Sequence, residues 1–167
     1  MAGTIRRLEQ NLIKEKLHFE SKPILIGGMA MEYYGIRRSG ADIDLVITDK
    51  DYQTLAASNP DKCKDLWGDL GVVIGPFEIW RSIARMDYSF YLKDAVDEGA
   101  AYVVSLERLM FMRVIAMGVE KYRDDLQLMI DYYYKNFTNQ SFVDNMEQHM
   151  ASYERNNGVI FGGKYLD

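Results

Sequence analysis

Cysteine is nearly absent from this sequence: Cys63 stands alone among 167 residues, so no internal disulfide can form. Histidine is almost as scarce, and His18 and His149 lie too far apart to make a local zinc motif. Proline occurs three times, and no Pro- or Ser-rich linker divides the chain. No uncharged run reaches the roughly 18 residues that a membrane-spanning helix needs. Residues 1–20 mix Arg6, Arg7, Glu9, Lys14, Glu15 and Lys16 with apolar residues, which leaves no continuous segment for a signal peptide. The expectation is a cytoplasmic protein without membrane attachment. An excess of basic charge is missing too. The net charge of −5 argues against duplex DNA as a partner, because phosphate neutralisation normally shows as a basic patch. It does not exclude a nucleotide, since a metal-bridged triphosphate brings its own cation.

What is present is the balance of a folded domain: apolar residues make up 48% and charged residues 27%, which excludes a disordered tail. Ile5, Leu8, Leu12, Ile13 and Leu17 recur near helical spacing and predict a helix over 5–19. The apolar run Ile24 to Ile26 predicts a buried strand that enters a tight turn at Gly27-Gly28, with a short helix from Met29 to Tyr34. A second strand is expected over 42–47 and a helix over 49–57. Strands over 72–74 and 77–83 flank the turn dipeptide Gly75-Pro76, and another is read at 101–104. Cys63 falls in what reads as a polar loop. Ser105 is a good N-cap for a helix from Leu106 to about Met117, Gly118 interrupts it, and a second helix runs over 119–137.

This order predicts an α/β (α+β) fold with a mixed-sheet core at 1–104, a C-terminal helical part at 105–155 and an irregular tail at 156–167. A stretch in that tail, Gly158 to Lys164, fits the start of a P-loop. Tyr165 replaces the Ser/Thr such a loop requires, so the match is read as coincidence.

Asp42 and Asp44 share one face of their strand, because side chains two residues apart point the same way. Two such carboxylates repel unless a cation lies between them, and a hard divalent ion with oxygen ligands is the economical explanation. Alone, Asp-x-Asp at a strand end reads more readily as a solvated turn. The preceding segment adds weight: an apolar strand ending in two glycines, whose backbone a phosphate can approach closely, then Asp42 after thirteen intervening residues.

Ile26-Gly27-Gly28 followed by Asp42-Ile43-Asp44-Leu45 resembles the hydrophobic-Gly-Gly/Ser…Asp-x-Asp pattern of the polymerase-β-like nucleotidyltransferase superfamily, and most of all its small bacterial members related to abortive-infection toxins. Ser105 to Ala116 and Lys121-Tyr122-Arg123-Asp124-Asp125-Leu126 resemble the helical pair that follows the core there. The resemblance covers roughly 23–134. It implies metal-dependent transfer of a nucleoside monophosphate, AMP from ATP in the first instance, to an unknown acceptor: a small molecule, an RNA end or a protein hydroxyl. Mg2+ or Mn2+ would be held by Asp42, Asp44 and a third carboxylate. Glu78 is preferred for that place, with Asp87 as the alternative, which could equally be a helix N-cap. Gly27, Gly28, Arg38 and Lys121 would meet the nucleotide. Arg113 stands where relatives often carry Lys, a departure that bears on substrate choice. The rival reading is a catalytically inactive binding or regulatory domain, such as a toxin–antitoxin component, with a protein partner or a second copy as its ligand.

Overall fold

A computed structural model describes residues 2–137. The irregular tail at 156–167, His149 and the P-loop-like stretch lie outside the described residues. The chain divides into two compact units, Met1–Met129 and Ile130–Asp167. The first holds the whole sheet and every side chain discussed below.

The elements run α1 (Ala2–Lys14), β1 (Ile24–Ile26), α2 (Gly27–Tyr33), β2 (Ile43–Val46), α3 (Asp49–Ser58), a single 3-10 turn at Pro60–Lys62, β3 (Cys63–Leu66), β4 (Asp69–Ile74), β5 (Phe77–Trp80), β6 (Ser82–Ile83), β7 (Met86–Asp87), α4 (Tyr88–Leu92), β8 (Val96–Asp97), β9 (Tyr102–Val103), α5 (Leu106–Ile115) and α6 (Glu120–Phe137). The fold is mixed α+β. A seven-stranded sheet in the order β3-β4-β5-β2-β1-β9-β8 combines parallel β2/β5 and β1/β9 pairs with antiparallel neighbours, and β6 and β7 form a separate ribbon. Ile24, Leu25, Ile26, Leu45, Val46 and Ile79 are fully buried at its centre. Continuous apolar runs are expected of strands covered on both faces. Helix α2 packs on β1 and β2, α1 packs on α2, and α3 lies against β4. No helix among the described residues is long and apolar enough to cross a membrane.

Beyond small shifts of element ends, including α2 starting at Gly27 rather than Met29, three features differ from the sequence reading. Helix α1 ends five residues early, because Lys16 turns left-handed (φ 54) while the Lys16 and Leu17 amides donate back to the Ile13 and Leu12 carbonyls. This is a helix-ending motif usually built on glycine. The segment at Cys63 is an edge strand, joined to β4 through the left-handed pair Trp67 and Gly68. The strand expected over 77–83 breaks at Arg81, after which Ser82 and Ile83 leave the main sheet.

Candidate active site

The site begins where β1 ends. Gly27 has φ +66, a left-handed conformation costly for any residue with a side chain. A Cβ there would stand 2.8 Å from the Asp44 Cγ and closer still to Oδ2. Both glycine requirements therefore have one cause: the chain turns sharply so that its backbone lies flat against the Asp44 carboxylate. Gly28 follows, facing the Arg37 guanidinium.

Helix α2 stops at Gly35, also left-handed (φ 75), whose amide and that of Ile36 cap the last carbonyls. The loop that returns to β2 is fastened by Glu32. One of its oxygens accepts from the Ser39 amide and hydroxyl at 2.8 Å each and from Arg7 at 3.3 Å. The Ser39 amide first, then its hydroxyl and the Arg7 charge, hold the Glu32 carboxyl below its ordinary value against the opposing effect of burial. This anchor delivers Asp42, exposed, to the residue before β2, and Asp44 to its second position.

On the neighbouring parallel strand, Glu78 is the register partner of Asp44, so the two carboxylates stand side by side on one sheet face. Burial first, then the charge of Glu78, pushes the Asp44 carboxyl up to about 6. Asp42 adds to the rise, and Arg113 and Lys121 oppose it. Glu78 is itself engaged by Lys64, 3.2 Å away. Among the described residues no three His, Cys, Asp or Glu side chains converge closely enough to enclose a metal ion unaided.

Facing the carboxylates is a cationic wall from α5, α6 and the α2–β2 loop. A cleft of about 80 Å³ is lined by Gly28, Gly40, Asp42 and Asp44 on one side and by Arg37, Arg113, Lys121 and Tyr122 on the other. Two larger hollows, of about 480 Å³ beside His18 and Asp51 and about 690 Å³ beside Arg81 and Arg85, also carry charges of both signs, but neither holds a buried arginine or touches the Gly27–Gly28 turn. Arg113 is only 6% exposed. Burial pulls its pKa down while Asp125, Tyr122 and Asp44 push it back up.

Of the residues expected from the sequence, Asp42, Asp44, Gly28 and Lys121 line the cleft, Gly27 lies beneath Asp44, and Glu78 stands beside Asp44 outside the lining. Arg38 is exposed and outside it; the adjacent Arg37 takes the inward position. Asp87 is the N-cap of α4, its carboxylate accepting from the Phe90 amide. Arg37, Tyr122 and Asp125 were not singled out as site residues. The signals available were the resemblance over Lys121 to Leu126, which contains Tyr122 and Asp125, and the four-residue spacing of Lys121 and Asp125, which places both on one helix face. No protein-family model matches the chain, and no curated protein matches it at a significant level.

Proposed function

We propose that this chain is a metal-dependent nucleotidyltransferase, moving a nucleoside monophosphate from an NTP, with ATP the first candidate, to an acceptor hydroxyl. The observation that carries this reading is the opposition across one small cleft of paired strand carboxylates, Asp42 and Asp44, and the cations Arg113 and Lys121. In such a reaction the acceptor hydroxyl gives its proton to water, its oxygen bonds to the α-phosphorus, the bond from that phosphorus to the β-phosphate bridging oxygen breaks, and pyrophosphate leaves. Catalysis is mostly positioning and charge stabilisation.

The donor set suits magnesium, which takes oxygen ligands from one or two carboxylates and completes its shell with substrate phosphates and water. Asp44 and Asp42 would hold it, with Glu78 joining on release from Lys64. When bound, the ion supplies charge neutralisation on the phosphates and on the attacking oxygen. The chain's own part is to keep Asp44 fixed on the Gly27 backbone, to present Gly28 as an unobstructed approach for phosphate, and to set Arg113 and Lys121 against the negative charge that builds on the leaving pyrophosphate.

Incubation with α-labelled ATP, Mg2+ and cell extract tests the reading: label should pass to an acceptor with the wild-type protein and not with Asp42→Asn/Asp44→Asn. Label transfer that survives the double substitution would sink it. The Lys64–Glu78 ion pair favours a second reading, a domain that binds nucleotide without transferring it. Nucleotide binding by calorimetry with no transfer to any acceptor decides for that one.

A further inference from the structure

We infer that Asp125 is a positioning residue for anion recognition in this cleft: it orients the Arg113 guanidinium by pairing with Arg113 and Arg37 at once. The inference rests on the reading of the cleft as a polyphosphate site.

Asp125 is 3% exposed on α6, one turn beyond Lys121. Its Oδ1 accepts from Arg37 Nε at 2.6 Å and its Oδ2 from Arg37 Nη2 at 2.8 Å, a bidentate fork that fixes direction as well as charge. The remaining Arg37 nitrogen donates to the Arg38 carbonyl at 2.8 Å. Each of the three Arg37 nitrogens thus has a protein partner, the Nη1 bond lying at the exposed surface. Arg113 is different. Among the described residues its Nε stands 3.1 Å from Asp125 Oδ2 yet makes no hydrogen bond, and its Nη2 meets the Met31 sulfur at 3.9 Å. The guanidinium lies over the Tyr122 ring, 4.9 Å from its centroid.

A buried guanidinium with under-used donors is costly unless a ligand completes it. Arg113 is therefore the cation with bonding capacity to spare, while Arg37 has the role of a brace. Asp125 links α6 to the α2–β2 loop, and so holds Arg113 and Lys121 at a set distance from Asp42 and Asp44. The arrangement also sets charge: one carboxylate offsets one of two guanidinium groups, leaving the wall cationic toward the ligand.

The two explanations of Asp125, bulk charge and orientation, predict opposite signs. Replacing it with Asn makes the cleft more positive, so if only charge mattered an anion would bind more tightly. If Asp125 orients Arg113, the anion binds more weakly. Inorganic pyrophosphate titrated by calorimetry, with and without Mg2+, is the probe, and thermal melting is the control for folding. We expect Asp125→Asn to weaken pyrophosphate binding tenfold or more. Equal or tighter binding by a cooperatively melting variant overturns the inference. Should Asp125→Asn fail to fold, Asp125→Glu decides, because it keeps the charge and moves the carboxylate by one methylene. A tenfold loss supports orientation, and wild-type affinity overturns it. Wild-type protein that binds neither pyrophosphate nor MgATP would bring down the polyphosphate reading together with this inference, whereas wild-type binding with indifferent Asp125 variants brings down the inference alone.

Discussion

Asp44 is the residue at which sequence, strain and chemistry meet. Its carboxyl rises from an ordinary value of 3.8 to about 6 through burial and its acidic neighbours. A raised carboxyl pKa means that the folded state binds the proton more tightly than the unfolded one. The stability this group contributes is therefore present below pH 4, is lost between pH 4 and pH 6, and stays lost above. The full gap corresponds to about 3 kcal/mol. Asp44→Asn removes the charge at nearly constant shape, so it should stabilise the metal-free protein by up to about 3 kcal/mol at pH 8 and by little at pH 4. Urea denaturation at both values measures this, and an equal change at the two would refute the link. Gly27 is tied to the same carboxylate. Gly27→Ala meets both the left-handed backbone and the overlap with Asp44, and should cost about 2 kcal/mol or more. In an Asp44→Gly background the overlap disappears and only the backbone term of about 1–2 kcal/mol should remain. Identical losses in the two backgrounds would show that the carboxylate does not press on the turn.

At the scale of elements, what was legible followed local rules. The run Ile24 to Ile26 is a strand because three apolar residues between Pro23 and two glycines leave little else, and Ser105 caps α5 through the Arg108 amide as its position suggested. The short left-handed turns were hidden. Lys16, Ala84 and Arg85 adopt positive φ without glycine, so composition gave no warning of where α1 ends or of the β6–β7 hairpin, and at the β3–β4 turn only Gly68 beside Trp67 hinted at one. Asp87 shows how an ambiguous residue is resolved by its element. Its carboxylate accepts from the Phe90 amide and the Ser89 hydroxyl, and those bonds, the hydroxyl first, hold its pKa below the ordinary value. As the cap of α4 it should cost about 1 kcal/mol on replacement by Ala and only a few tenths on replacement by Asn, an equally good cap. Neither change should alter nucleotide affinity. Loss of MgATP binding in a folded Asp87→Ala protein would return this residue to the site.

At the scale of the whole molecule, the acidic half of the cleft and Lys121 were readable, and the Arg37–Asp125 brace behind the cationic half was not. Asp42 and Asp44 lie close in sequence to the glycines that support them, and Glu78 follows from one strand register. Arg37 meets Asp125 across 88 positions of chain, a pairing that only tertiary packing creates, and nothing in the Arg37-Arg38 doublet says which of the two turns inward. The same packing yields a condition-dependent property. A carboxylate must be ionised to hold a cation, so under the proposed function protons would compete with metal at Asp44. With its pKa at about 6, Asp44 is mostly charged at pH 7.5 and mostly protonated at pH 5. Affinity for MgATP should therefore fall about tenfold for each pH unit below 6. It should also collapse with EDTA at any pH. The nucleotide protonates in the same range, so the comparison that isolates the protein is Asp44→Asn, whose weaker binding should follow the nucleotide's titration alone. Parallel pH profiles for wild type and Asp44→Asn, measured by calorimetry from pH 5 to 8, would place the titrating group outside this cleft and remove Asp44 from the metal-binding role.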